Sequence, residues 1–139
     1  MIEAAIICLA LNIYHEARDQ PVLGQIAVSQ VVLNRVNDPR YPNSVCRVVR
    51  QAKYSKKTRQ PIKWECSFSW FCDGKSDKVK DLDAYRWALT LSGRILRGEF
   101  APLVDGATHY HNIFVNPKWA EKKVRVGKIG DHIFYRWER

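Results

Sequence analysis

Three groups of residues in this chain have the types and spacing to do chemistry. Glu16 ends a stretch in which Ile6, Leu9, Ala10, Ile13 and Ala17 recur at three- and four-residue intervals and so share one face of a helix. At about 100° per residue, Glu16 stands about 80° from the centre of that stripe, on its shoulder and in the last turn. A helix C-terminus carries partial negative charge and an apolar shoulder disfavours more, so both effects hold a proton on the carboxyl. Such an acid can protonate a glycosidic oxygen. Arg18 opposes the shift, and a surface Glu at a helix end is the plainer alternative.

His109 and His111 form the second group. In a strand they project to one face, and an H-x-H pair can supply two ligands to a metal, with His15, His132 or an Asp completing the set. The alternative is two partly buried histidines beside Tyr110 that make hydrogen bonds. The third group is the aromatic cluster Trp64, Phe68, Trp70 and Phe71, with Ser69 inside it. It can stack on sugars or on bases, or fill a core. A G-x-S-x-G elbow, a Walker loop and an H-E-x-x-H helix are all missing from the sequence, which removes the usual support for serine-hydrolase, P-loop and zincin chemistry.

Positioning these groups takes a series of short elements. The Glu16 helix must stop before Pro21, and Leu23, Ile26, Ala27, Val31, Val32 and Val36 predict a second helix ended by Asn37-Asp38-Pro39. Ser44 can cap a short third helix carrying Val45, Val48, Val49 and Ala52. Residues 53–63, polar and basic, read as an exposed mobile loop, and an Asp73-Gly74 turn closes the aromatic stretch. Asp81 or Asp83 can cap a long helix with Leu82, Tyr85, Leu89, Ser92 and Leu96 on its inner face and Gly98 just past its end. Residues 107–111 predict a strand, and residues 124–126 and 132–135 a hairpin across Gly127-Lys128-Ile129-Gly130. Helices first and a small antiparallel sheet in the C-terminal third make the class α+β. A length of 139 residues fits a single domain, 1–139.

With 46% of residues hydrophobic and five Trp, six Tyr and five Phe, the chain has ample core material, and disorder and fibrous repeats are excluded. The apolar run at residues 4–11 is far short of the roughly 20 residues a bilayer demands, so stable membrane insertion is not expected. The first charge is Glu3 rather than a basic cluster, so no secretory signal is read. The formal net charge is +9, with eight basic and no acidic residues from Arg40 to Trp64. Nucleic acid, an anionic membrane surface or an acidic cell envelope would each suit that charge, as would a merely solvated face. Among the cysteines, Cys8 reads as a free, buried thiol, and Cys46, Cys66 and Cys72 can supply one bridge between the third helix and the aromatic loop. Three cysteines with no CxxC pair do not suggest zinc.

The blocks Ala10-Leu11-Asn12-Ile13-Tyr14-His15-Glu16-Ala17-Arg18, Pro21, Gly24-Gln25-Ile26-Ala27-Val28 and Val32-Leu33-Asn34-Arg35-Val36 resemble the opening of the SleB/CwlJ-type cell-wall hydrolases. The similarity continues through Tyr41-Pro42, Ser44-Val45-Cys46-Arg47-Val48-Val49, Phe68-Ser69-Trp70, Cys72-Asp73-Gly74, Ala107-Thr108-His109-Tyr110-His111, Pro117-Lys118-Trp119 and Ile129-Gly130-Asp131-His132-Ile133-Phe134-Tyr135. This resemblance implies a mainly helical, lysozyme-like fold and cleavage of the β-1,4 bond between N-acetylmuramic acid and N-acetylglucosamine in peptidoglycan. It implies a lytic transglycosylase or muramidase acting through Glu16, with no metal or other cofactor. Two positions depart from the family pattern: Gln20 where a second acid is common, and Ser67 where Gln is common.

Glu16 is therefore the expected catalytic residue. Phe68, Ser69, Trp70, Tyr110, His109 and His111 are the expected substrate-binding residues. The lone carboxylate of the Glu16 block favours a transglycosylase, although Asp73, Asp105 or Asp131 could approach it in space. A small basic domain of this kind suggests a monomeric phage endolysin, made in the host cytoplasm and released through a holin. It would act on peptidoglycan glycan strands, with its basic surface drawn to an acidic envelope and with no nucleic-acid partner. Two rivals remain: a zinc-dependent wall amidase or peptidase built on His109 and His111, and a nucleic-acid-binding protein using the basic stretch.

Overall fold

In the computed structural model, which describes residues 2–138, the chain runs α1 (Ile2–Ala17), α2 (Val22–Val36), α3 (Val45–Val49), β1 (Ala52–Tyr54), β2 (Pro61–Cys66), α4 (Leu82–Leu96), β3 (His109–Asn112), β4 (Val124–Ile129) and β5 (His132–Arg136). Two 3-10 turns, Ser69–Phe71 and Lys118–Lys122, complete it. Three helices come first, the β1–β2 hairpin precedes α4, and β3, β5 and β4 form one antiparallel sheet in that order in the C-terminal third, so the α+β expectation holds.

Helix α1 lies at the centre and packs against α2, α3 and α4, which is why it is buried on several faces at Cys8, Leu9, Ala10, Asn12, Ile13, Tyr14 and Ala17. Its run is free of Gly and Pro and ends just short of Pro21, whose fixed φ suits the entry to α2. Ser44 caps α3 by accepting from Arg47 N, and Asp81 caps α4 by accepting from Ala84 N, as the sequence predicts. A main core joins α1, α3 and α4 through Leu9, Ile13, Val48, Leu91 and Ile95, together with Phe68 and Trp70. A second, smaller core joins α2 to the sheet through Ala27, Val28, Val31, Ala107 and Phe134.

Several expectations are corrected. On α4, Ser92 is buried and Tyr85, Leu89 and Leu96 pack against the core as expected, while Leu82 is exposed; the face extends to Ala88, Leu91, Gly93 and Ile95. Leu23 in the first turn of α2 is likewise exposed. Ala52 does not extend α3 but opens β1, and the supposed loop at residues 53–63 is mostly a hairpin, with Ala52 paired to Cys66 and Tyr54 to Pro61. The β4–β5 connection is tighter than expected, turning at Gly130-Asp131.

The cysteines also pair differently. Cys8 bonds Cys46, tying α1 to α3, and Cys66 bonds Cys72 across the aromatic loop. Apolar neighbours alone favour a free thiol at Cys8; the bond forms because α3 packs against α1 and brings the two Cα atoms within 5.2 Å.

Candidate active site

Glu16 sits in the last turn of α1 and lines a small cavity of about 160 Å³, together with Arg35 from α2, Ser67 and Phe68 from the loop after β2, His109 and Tyr110 from β3, and Trp119. The Tyr110 hydroxyl donates to Glu16 Oε1 at 2.6 Å. Burial pushes the Glu16 carboxyl above its ordinary pKa, and the Tyr110 hydrogen bond and the Arg35 charge only partly pull it back. The Tyr110 phenol is itself held well above its usual pKa, first by burial and then by the neighbouring Glu16 charge, so it stays a hydrogen-bond donor.

Arg35 is built into the wall. Its Nε donates to Thr108 O at 2.8 Å, and its guanidinium lies 5.0 Å from the Tyr41 ring centroid and 5.1 Å from that of Phe68. Burial works against its charge while Tyr41, Tyr110 and Glu16 work for it. His109 is driven down to about 4 by burial first and by Arg35, Lys123 and Arg40 next, so at neutral pH the imidazole is uncharged. Its ring packs on Trp119 at 5.2 Å.

The three remaining candidates are placed elsewhere. Trp70 is buried: its indole stacks on His15 at 4.5 Å and donates to Asn12 Oδ1 at 2.9 Å, which fixes the 3-10 turn onto α1 rather than offering a sugar platform. Ser69 is exposed at the start of that turn and does not line the cavity; Ser67 does so in its place. His111 does not line the cavity; its Nδ1 pairs with Asn112 O and its Nε2 with the Tyr135 hydroxyl, and its ring braces Trp119 at 5.6 Å. The expected common face of His109 and His111 is real, since both meet Trp119, but both ring nitrogens of His111 are engaged and Nδ1 of His109 pairs with Thr108 Oγ1. Among the described residues, no three His, Cys, Asp or Glu side chains cluster as metal ligands would.

Arg35, Ser67 and Trp119 are the lining residues not singled out from the sequence. Arg35 and Trp119 do fall in the Leu33-Asn34-Arg35 and Pro117-Lys118-Trp119 blocks that carry the family resemblance, which was the available signal. Among the described residues, no second carboxylate lines the cavity. Asp105 pairs with Arg136, Asp73 accepts from Lys75 N, and Asp131 accepts from Gln20 Nε2. Gln20, where the family often carries an acid, is a clamp: its Oε1 also accepts from Asp131 N at 2.8 Å. Gly130 turns with φ +57, and a Cβ there would come within 2.5 Å of Gln20 Oε1.

The arrangement matches known proteins along nearly its whole length. The catalytic domain of the germination-specific lytic transglycosylase SleB from Bacillus anthracis superposes with a TM-score of 0.68 at 28% identity, covering 95% of this chain and 93% of that one. The Bacillus cereus SleB catalytic domain gives 0.66 at 27% identity, covering 96% and 91%. A spore cortex-lytic enzyme of Halalkalibacterium halodurans is 32% identical over 128 residues, which is 91% of this chain but 33% of that protein. One from Oceanobacillus iheyensis is 44% identical over 133 residues, 39% of its length. The chain thus spans between about a third and two fifths of the length of these two curated relatives. The cell wall hydrolase profile matches residues 19–135, beginning just past Glu16, and on that span the chain belongs to the cell wall hydrolase family.

Proposed function

We propose that this domain cleaves the β-1,4 glycosidic bond between N-acetylmuramic acid and N-acetylglucosamine in peptidoglycan, as a lytic transglycosylase with Glu16 as its acid and base. The observation that carries the reading is a carboxyl held above its ordinary pKa by burial, hydrogen-bonded to Tyr110, in a cavity that no second carboxylate lines among the described residues. Protonated Glu16 gives its proton to the leaving glycosidic oxygen as the bond to the muramoyl C1 breaks. The resulting carboxylate then takes the proton of the muramoyl 6-hydroxyl as that oxygen bonds to C1, closing a 1,6-anhydro ring and restoring the acid. An intramolecular nucleophile needs no second carboxylate, whereas an inverting hydrolase requires one to activate water. Tyr110 holds one Glu16 oxygen in place, leaving the other for the proton transfers.

The naming of the SleB structure as a lytic transglycosylase supports the same reaction. The test is mass spectrometry of fragments released from purified peptidoglycan. Anhydromuramoyl ends from the parent chain and none from Glu16→Gln are expected. Reducing ends would make the enzyme a muramidase, and cleaved peptide stems with intact glycan would overturn the reading in favour of an amidase or peptidase.

The phage-endolysin setting is a further proposal. The basic surface supports it, while the relatives are named spore cortex-lytic enzymes. Lysis of an expressing host only when a holin is co-expressed is the result it expects.

A further inference from the structure

The cavity at Glu16, at about 160 Å³, is smaller than ordinary small-molecule pockets of ~300–1,000 Å³, and a glycan strand must continue beyond it. A second groove, of about 410 Å³, lies across the β1–β2 hairpin and is lined by Gln51, Lys53, Trp64, Glu65 and Ser67. Ser67 lines both, so the two meet at that residue. At the junction Ser67 N donates to Gln51 O at 2.9 Å and Ser67 Oγ to Gln51 Oε1 at 3.2 Å, which sets the Gln51 amide at the edge of the groove. Lys53 and Glu65 pair across the hairpin at 3.7 Å.

Trp64 is the unusual member. Its indole is 63% exposed, in a chain whose other tryptophans are all less so. Its backbone has φ +67 inside β2, a left-handed conformation that bulky side chains disfavour. The conformation is held by the hydrogen bond from Trp64 N to Cys72 O at 3.0 Å and by the Cys66–Cys72 bridge. Lys63 Nζ stands 5.5 Å from the ring centroid. An aromatic face held out in solvent beside polar groups, in a groove that shares Ser67 with the Glu16 cavity, suits the apolar face of a pyranose ring with its amide and hydroxyl edge on Gln51 and Lys53.

We infer that the Trp64 groove is a distal saccharide subsite that binds an N-acetylated sugar of the glycan strand away from the bond being cut. This rests on the glycan-cleaving reading above. The subsite adds binding equally to substrate and transition state, so its loss raises KM on long strands and spares kcat.

The test uses the full chain with Glu16→Gln to prevent turnover, and hexa-N-acetylchitohexaose as the probe. In two-dimensional NMR the Trp64 indole and Gln51 side-chain signals should move on titration, and Trp64→Gly should weaken the affinity by about tenfold, the scale of one aromatic contact. Glycine is the replacement that a positive φ favours, so this variant keeps the fold, and Trp64→Phe should restore most of the affinity. In the active chain, Trp64→Gly should raise KM for peptide-stripped glycan strands by about the same factor. If Tyr110 and Trp119 signals move while Trp64 and Gln51 stay still, or if Trp64→Gly binds like the parent, the subsite is overturned and the catalytic reading stands. If no signal moves and the parent chain cuts no glycan, both fall.

Discussion

The hydrogen bond between Tyr110 and Glu16 offers a quantitative test of the acid. At 2.6 Å it has the length of a charge-assisted bond to a carboxylate. Such a bond contributes about 1.5–3 kcal/mol when the acceptor is charged and about 0.5–1.5 kcal/mol when it is neutral. Its removal therefore costs the ionised form of Glu16 about 1 kcal/mol more than the protonated form. At about 1.36 kcal/mol per pH unit this is between about half and one pH unit. Tyr110→Phe leaves the burial of Glu16 in place and should move the alkaline limb of the rate profile upward by that amount, because the acid keeps its proton to higher pH. The assay is the initial rate of anhydromuramoyl product from purified sacculi, measured across the acid and neutral range for both chains. The variant should remain measurably active, since the acid itself is untouched. A limb that stays put or moves down would refute the coupling of phenol to acid, and a loss as complete as that of Glu16→Gln would assign Tyr110 a direct part in the reaction.

Glu16→Gln should lower glycan cleavage by at least ~100-fold while stabilising the fold at neutral pH. The folded-state pKa is raised above 4.5, so stability falls as pH rises from there through the folded pKa; thermal melts should show the variant ahead at neutral pH and level with the parent below that window. Peptide mapping without reductant should recover Cys8–Cys46 and Cys66–Cys72. The sequence separations of 38 and 6 put the loss on removing each bridge by paired Ala substitution at about 4 and about 2 kcal/mol, measured by denaturant unfolding. Replacing Lys56, Lys57 and Arg59 together by Gln should slow lysis of intact walls at low salt and matter little at high salt, because attraction to an acidic envelope is screened over about 10 Å at 0.1 M. Equal slowing at all salt concentrations would show that these residues support the hairpin instead.

What the sequence made legible follows the range of the forces involved. The caps at Ser44 and Asp81, the stop before Pro21 and the placement of Glu16 on a helix shoulder are local, and they could be read from spacing alone. Trp70 was misplaced because its partners Asn12 and His15 are distant in the chain, and an aromatic in a polar loop gives no sign of which face is covered. Ser69 and Ser67 differ only by the way the chain turns at Phe68, which the Cys66–Cys72 bridge helps to set. Arg35 stands out in the sequence only within a family block, because its place in the cavity wall depends on Tyr41, Phe68 and Thr108, which lie outside its helix. The β1–β2 hairpin was hidden by its lysines, whose polarity reads as loop when strands are short and neither face is buried.

Two hydrogen bonds from the last turns of α1 reach far along the chain. Its Tyr14 hydroxyl accepts from Asp81 N across 67 residues, and Glu16 meets Tyr110 across 94. The strand that carries Tyr110 is in turn paired to β5, residue against residue from His109–Tyr135 to Asn112–His132. During synthesis, then, Glu16 is made long before the groups that surround it, and the cavity closes only when β5 has been added to the sheet. A nascent chain that ends after α4 lacks His109, Tyr110 and Trp119 of the cavity lining. Under the proposed reaction, fragments ending before residue 132 should therefore be inert even where their helices have formed.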